Sequence, residues 1–204
     1  MASSTANEPG LPVFVVTGPS GAGKGTLIKL VLPRFPELEV AVSATTRPQR
    51  PGEEDGMHYW FLTRDEFDRR VERGKFLEWV DYVGNRYGTL RSEIERLRAE
   101  GKAPLLELET EGALRVKRRE PDAVTVFVNA PVEELERRLE ERATESSGVI
   151  DERIERARRQ LLERDLFDHV VENDDRERAA NELGTIVSRA LGRSGARAGT
   201  MASQ

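Results

Sequence analysis

The sequence predicts an α/β fold: a mostly parallel sheet with helices on both faces, plus an inserted small α+β lobe. Three observations carry this. Short apolar, β-branched runs alternate with helical stretches along most of the chain. The first such run ends on a glycine-rich loop that opens a helix. The stretch from about Ala44 to Leu90 breaks the alternation with aromatic sequence punctuated by Pro and Gly.

The elements follow in order. Leu11–Thr17 (LPVFVVT) is a continuous apolar run and reads as a buried strand. Gly25–Leu32 carries Leu27, Leu30 and Val31 at helical spacing and is closed by Pro33 and Pro36. Val40–Ala44 reads as a second strand. His58–Leu62 reads as a short strand and Asp65–Arg73 as a helix that Thr63 caps. Phe76–Val83 is extended, Gly84–Gly88 is a turn, and Ser92–Glu100 is a helix ending at Gly101. Strand Pro104–Leu108 and helix Glu111–Arg118 resume the core pattern. Strand Val124–Val128 and helix Pro131–Arg142 follow, with Pro in the helix's first turn. Thr144–Gly148 reads as a loop and Ile150–Leu166 as a long Arg/Glu-laced helix. A last strand (Asp168–Val171) and a last helix (Arg176–Leu191) complete the chain. The ends, residues 1–10 and 192–204, are small, polar sequence and are expected to be disordered tails.

Composition bounds the function. At 204 residues and 37% hydrophobic, the chain can bury one substantial core. A net charge of −5 argues against nucleic acid or an anionic membrane as the main partner. No apolar run approaches the ~20 residues of a membrane span. The N-terminus lacks the pattern of a signal peptide. With no cysteine, disulfides and thiolate metal sites are excluded. A cytoplasmic location is expected, as a monomer or homodimer.

Gly18-Pro19-Ser20-Gly21-Ala22-Gly23-Lys24 matches G-x-x-x-x-G-K between a strand and a helix. This makes the fold of the P-loop NTPase type. The glycines let backbone N–H groups converge on phosphate oxygens, and the helix N-terminus adds a positive dipole end. Lys24 supplies the mobile charge for the β- and γ-phosphates of a nucleoside triphosphate. Gly25 stands where Ser or Thr commonly meets Mg²⁺, and Thr26 follows it. Mg²⁺ would then rest mainly on phosphate oxygens and water, which it tolerates.

No general base stands out. Lone histidines His58 and His169 fit structural or surface roles. A phosphate acceptor explains this, because a phosphomonoester with a second pKa of ~6 is already anionic near neutrality. What it needs is cations and alignment. Arg47 and Arg50 lie outside any predicted helix, where guanidinium forks can clamp a phosphate. Tyr59 and Tyr87 can add hydroxyl donors. Arg138, Arg142 and Arg153 flank the Thr144–Gly148 loop, from which a flap can carry arginine to the transferring group.

These residues resemble the guanylate kinases from about Val13 to Leu191. The segments are GPSGAGKGT (Gly18–Thr26), SATTRPQRPGE (Ser43–Glu53), FLEW (Phe76–Trp79), GNRYGT (Gly84–Thr89), LLELETEG (Leu105–Gly112), RATES (Arg142–Ser146) and VVENDD (Val170–Asp175). TTRxxRxGE together with GNxYGT is specific to that family. The resemblance implies a domain over 11–191, with a core (11–42 and 91–191), a GMP-binding lobe (43–90) and a lid (141–153). It implies transfer of the γ-phosphoryl group of ATP to GMP and dGMP, with Mg²⁺, in purine nucleotide metabolism. By position, Arg47, Arg50, Tyr59 and Tyr87 hold the GMP phosphate. Ser43, Glu78 and Thr89 read the guanine. A Glu78 carboxylate can accept from the guanine N1–H and 2-amino group together, a donor pair that adenine lacks. Where the family carries Asp-x-Asp, this chain carries Glu107 and Glu109. Their longer side chains can reach the 2-amino group or a magnesium water by a different geometry. The lid reads Arg142-Ala143-Thr144-Glu145 in place of Arg-Gly-Thr-Glu.

Two other readings compete. A related sugar-phosphate kinase would keep the loop and lid without needing Ser43, Glu78 and Thr89 together. A non-catalytic interaction module of this type would tend to lose the loop, whereas Gly23 and Lys24 are intact here.

Overall fold

A computed structural model describes the backbone of residues 11–141 and 147–192, with side chains there except over 138–153. β1 (Phe14–Thr17) runs through the glycine loop into α1 (Lys24–Val31), which a 3-10 turn at Leu32–Arg34 closes. β2 (Leu38–Val40), β3 (Ala44–Thr45) and β4 (Trp60–Phe61) come next. Then follow α2 (Arg64–Glu72), β5 (Phe76–Tyr82), β6 (Asn85–Leu90) and α3 (Arg91–Ala99). The chain continues through β7 (Ala103–Glu107), α4 (Thr110–Arg119) and β8 (Val124–Asn129). It ends with α5 (Val132–Glu141), α6 (Ser147–Leu161), β9 (His169–Glu172) and α7 (Arg176–Ala190).

Among the described residues the strands form two sheets. The first is parallel throughout, in the order β2-β7-β1-β8-β9. Side chains alternate across a strand, and β1 uses both faces. Phe14 and Val16 point into a core with Leu27, Ile28 and Val31 of α1 and Leu183 and Val187 of α7. Val15 points the other way, among Ile94 and Leu97 of α3 and Ala113 and Val116 of α4. Burial on both faces is why β1 and β8 read as mostly apolar runs, with Thr125 inside β8 donating its hydroxyl to Asp168.

The second sheet, in the order β4-β3-β6-β5, lies between β2 and α3 in the chain. Its own small core is Ala44, Phe67, Phe76 and Leu90. Phe67 of α2 stacks on Phe76 at 4.3 Å between ring centroids. Thr63 caps α2, its hydroxyl accepting from the Glu66 N–H at 3.2 Å.

Several sequence expectations are corrected. The single strand expected over Val40–Ala44 is two strands in two sheets. After the Ala41 N–H bonds Leu105, the Val42 N–H turns to the Glu93 carboxylate instead of a strand, and the chain crosses over. The turn expected over Gly84–Gly88 is tighter. Val83 and Gly84 (φ 46° and 74°) form it, and Asn85 already pairs with Tyr82. Such left-handed pairs match the twist of a two-residue hairpin. The long helix expected to reach Leu166 ends at Leu161, and a 3-10 turn covers Arg164–Leu166. Ser147 and Gly148, expected in a loop, open α6, while the rest of that loop and the tails other than Gly192 lie outside the described residues.

Candidate active site

The glycine loop leaves β1 at the carboxyl edge of the parallel sheet, flanked by β7 and β8. Gly18 has φ +134°, and a Cβ there would lie 2.3 Å from the Val128 carbonyl oxygen of β8. No side chain fits so close to backbone. Gly23 caps α1 in the left-handed region (φ 87°), its carbonyl accepting from the Thr26 and Leu27 N–H groups. Pro19 accepts from the Ala22 N–H at 3.1 Å. From beyond β9, the buried Asn173 amide donates to the Ala22 carbonyl at 2.6 Å. Lys24 is 9% exposed, and its ammonium donates to Gly18 O (2.7 Å) and Pro19 O (3.2 Å). Two of its three donors are held by the loop, leaving one for a ligand.

This loop forms one wall of a cleft of about 670 Å³, and the second sheet forms the other. Of the residues singled out from sequence, Ser20, Gly21, Gly23, Lys24, Gly25 and Thr26 line it from the loop side. Ser43, Tyr59, Glu78 and Tyr87 line it from the second sheet and the residues flanking its strands, with Glu107 from the end of β7 and Glu109 just after it. Gly18, Pro19 and Ala22 are buried in the loop's frame.

Glu78 is 1% exposed. Burial pushes its carboxyl up to about 7, against hydrogen bonds from Thr89 and the charges of Arg115 and Arg119. The Thr89 hydroxyl, fully buried behind it, donates to Glu78 Oε1 at 2.9 Å. Thr89 thus supports the carboxylate and does not line the cleft.

Tyr87 meets Tyr59 edge-on at 6.0 Å. Burial, aided by Tyr87, raises the Tyr59 hydroxyl pKa and keeps it a neutral donor. The Arg47 guanidinium lies 5.4 Å from the Tyr59 ring and pairs with Glu53 at 2.7 Å. Arg50 is exposed, and its backbone N–H donates to the same Glu53 carboxylate at 2.8 Å. Glu53 therefore organises the arginine segment. Neither arginine lines the cleft.

Gly25 faces Glu107: a Cβ at Gly25 would meet Glu107 Oε2 at 3.4 Å, an ordinary contact. Glu109 accepts from the Gln160 amide of α6 at 3.0 Å. Arg142, and the side chains of Arg138 and Arg153, lie outside the described residues. Sequence reading passed over Asn173 and Gln160. An amide that braces a loop from a distant segment has no local spacing signal, although Asn173 lies inside a quoted segment.

A family model described as guanylate kinase matches residues 12–190. The chain belongs to the guanylate kinase family. It is 49% identical to a guanylate kinase of Rubrobacter xylanophilus, over 87% of this chain and 93% of that relative. A guanylate kinase of Prochlorococcus marinus is 46% identical, over 92% of this chain and 98% of the relative. The crystal structure of guanylate kinase from Anaplasma phagocytophilum superposes with a TM-score of 0.71 at 26% identity, covering 92% of this chain and 89% of that one. No described helix is long and apolar enough to cross a membrane.

Proposed function

We propose that the cleft binds ATP on the glycine loop and GMP on the second sheet, and transfers the γ-phosphoryl group between them to give ADP and GDP. The observation that carries this is Glu78, a buried carboxylate facing the same cleft as Lys24. A buried anion at a cleft wall needs donors, and guanine offers two on one edge. AMP lacks that donor pair and would leave the carboxylate with the Thr89 donor but none from the base, which is costly.

Ser43 joins Glu78 at the base. Tyr59 and Tyr87 donate to the acceptor phosphate, with Arg47 and Arg50 swinging in from the Glu53 cluster. The acceptor oxygen is already ionised, so no general base is required. The remaining barrier is repulsion between polyanions, which Lys24 and the lid arginines Arg138, Arg142 and Arg153 neutralise. Closure of the lid (141–153) and the lobe (43–90) excludes water and suppresses hydrolysis. None of the groups assigned to the base and the phosphate calls for a 2′-hydroxyl, so dGMP should serve as a second acceptor.

Mg²⁺ fits this site. Among the described residues no three His, Asp or Glu side chains form a cage, but magnesium bound to triphosphate keeps several waters and needs few protein ligands. Glu107, facing Gly25, would take such a water, with Glu109 and Thr26 near. When bound, the ion neutralises phosphate charge. The enzyme acts in the cytoplasm, where both nucleotides are at hand.

The test is calorimetric titration of GMP and AMP into the protein and its Glu78→Gln variant. GMP affinity should fall about 30-fold or more, with AMP unchanged. An intact GMP preference would remove Glu78 from base recognition.

A further inference from the structure

We propose that Arg115 and Arg119 of α4 are positioning residues for base recognition, gripping the edge of β5 on either side of Glu78. This rests on the reading of Glu78 as the base-reading group. Among the described residues β5 is an edge strand, paired only with β6. The outward carbonyls of an edge strand have no ladder partner. Here α4 supplies them: the Arg115 guanidinium donates to the Trp79 carbonyl and the Arg119 guanidinium to the Leu77 carbonyl. The spacings agree. Two residues of strand span about 6.7 Å, and four residues of helix rise about 6 Å. The β5–β6 register also shifts between Phe76 and Glu78. A bulge of this kind disrupts the ladder locally, so Arg119 secures the backbone where β6 holds it least.

The same helix face closes on the carboxylate itself. A Cβ at Gly112 would lie 2.7 Å from Glu78 Oε2. Arg115 is in turn oriented by Glu111 at 2.5 Å and by the Trp79 ring at 5.5 Å. The groups facing Glu78 are thus the Thr89 hydroxyl of β6 and Gly112, Arg115 and Arg119 of α4, with Glu107 and Glu109 across the cleft. The two guanidinium charges favour the ionised carboxylate against burial. Guanine needs that ionised form.

Steady-state kinetics of the Arg115→Gln/Arg119→Gln double variant, from pH 6 to 9, tests this. KM for GMP should rise about tenfold, while kcat at saturating GMP and KM for ATP stay within about twofold. The acid-side rise in KM for GMP should begin at higher pH than in the parent. Arg119→Lys, which keeps donor and charge, should restore KM for GMP. A parental KM and pH profile in the double variant would overturn the proposal. If the double variant does not fold, Arg119→Gln alone decides: KM for GMP raised about threefold at constant KM for ATP supports it, and no change overturns it. Glu78→Gln in parallel separates the two readings. Loss of GMP preference there, with the arginine variants unaffected, sinks only the positioning role. Retained preference in Glu78→Gln sinks the base assignment beneath it.

Discussion

Glu78→Gln should make the protein more stable at neutral pH while it damages GMP binding. The Glu78 carboxyl is 1% exposed, and burial raises it from 4.5 to about 7. A carboxyl raised in the folded state favours folding most when it is protonated in both states. That contribution is lost as pH rises from about 4.5 through about 7. At about 1.4 kcal/mol per pH unit, ionised Glu78 costs roughly 3 kcal/mol above pH 7. Glutamine keeps the shape and an acceptor for the Thr89 hydroxyl but does not titrate. Its advantage should therefore be under about 1 kcal/mol at pH 5 and roughly 3 kcal/mol at pH 8. For a chain of this size that is about 6–12 °C in Tm at pH 8. Urea unfolding of both proteins without nucleotide, at pH 5 and pH 8, measures it. A constant difference between the two pH values, or a less stable variant at pH 8, would refute the reasoning.

Other substitutions follow from the same geometry. Lys24→Ala should lower turnover at least about a hundredfold and leave GMP affinity unchanged; parental turnover would reject its phosphate role. Asn173→Ala removes the donor to the Ala22 carbonyl and should raise KM for ATP several-fold with KM for GMP unaltered, read from initial rates. Val83 is 63% exposed and sits at φ +46°, where a β-branched residue is strained by about 1 kcal/mol. Asparagine tolerates that region, so Val83→Asn should raise Tm by about 2–4 °C; a lower Tm would show the turn is not strained.

Much of this was legible in sequence because the signals are local. The GPSGAGKGT loop announces itself by glycines that backbone geometry demands, and φ +134° at Gly18 shows why. β1 and β8 are legible because burial on both faces leaves them mostly apolar, with the buried Thr17, Thr125 and Asn129 side chains donating hydrogen bonds. Glu78 was found through a family motif, but its burial was not. Its sequence neighbours, Leu77 and Trp79, do not reveal that α4 closes over it. The division of Val40–Ala44 between two sheets was hidden for a similar reason. A five-residue polar-apolar run says nothing of the Glu93 carboxylate that receives the Val42 N–H from 51 positions away. Arg115 and Arg119 read as ordinary helical surface, since (i, i+4) arginines are common wherever helices are charged.

The most direct measurement is ADP release from ATP and Mg²⁺ by the purified protein, with GMP, dGMP, AMP, CMP or UMP as acceptor. GMP and dGMP should drive release, with GDP or dGDP as stoichiometric product, and the other three should give rates far lower. Equal rates with all five, or ADP release that ignores the acceptor, would contradict a cleft in which buried Glu78 selects guanine.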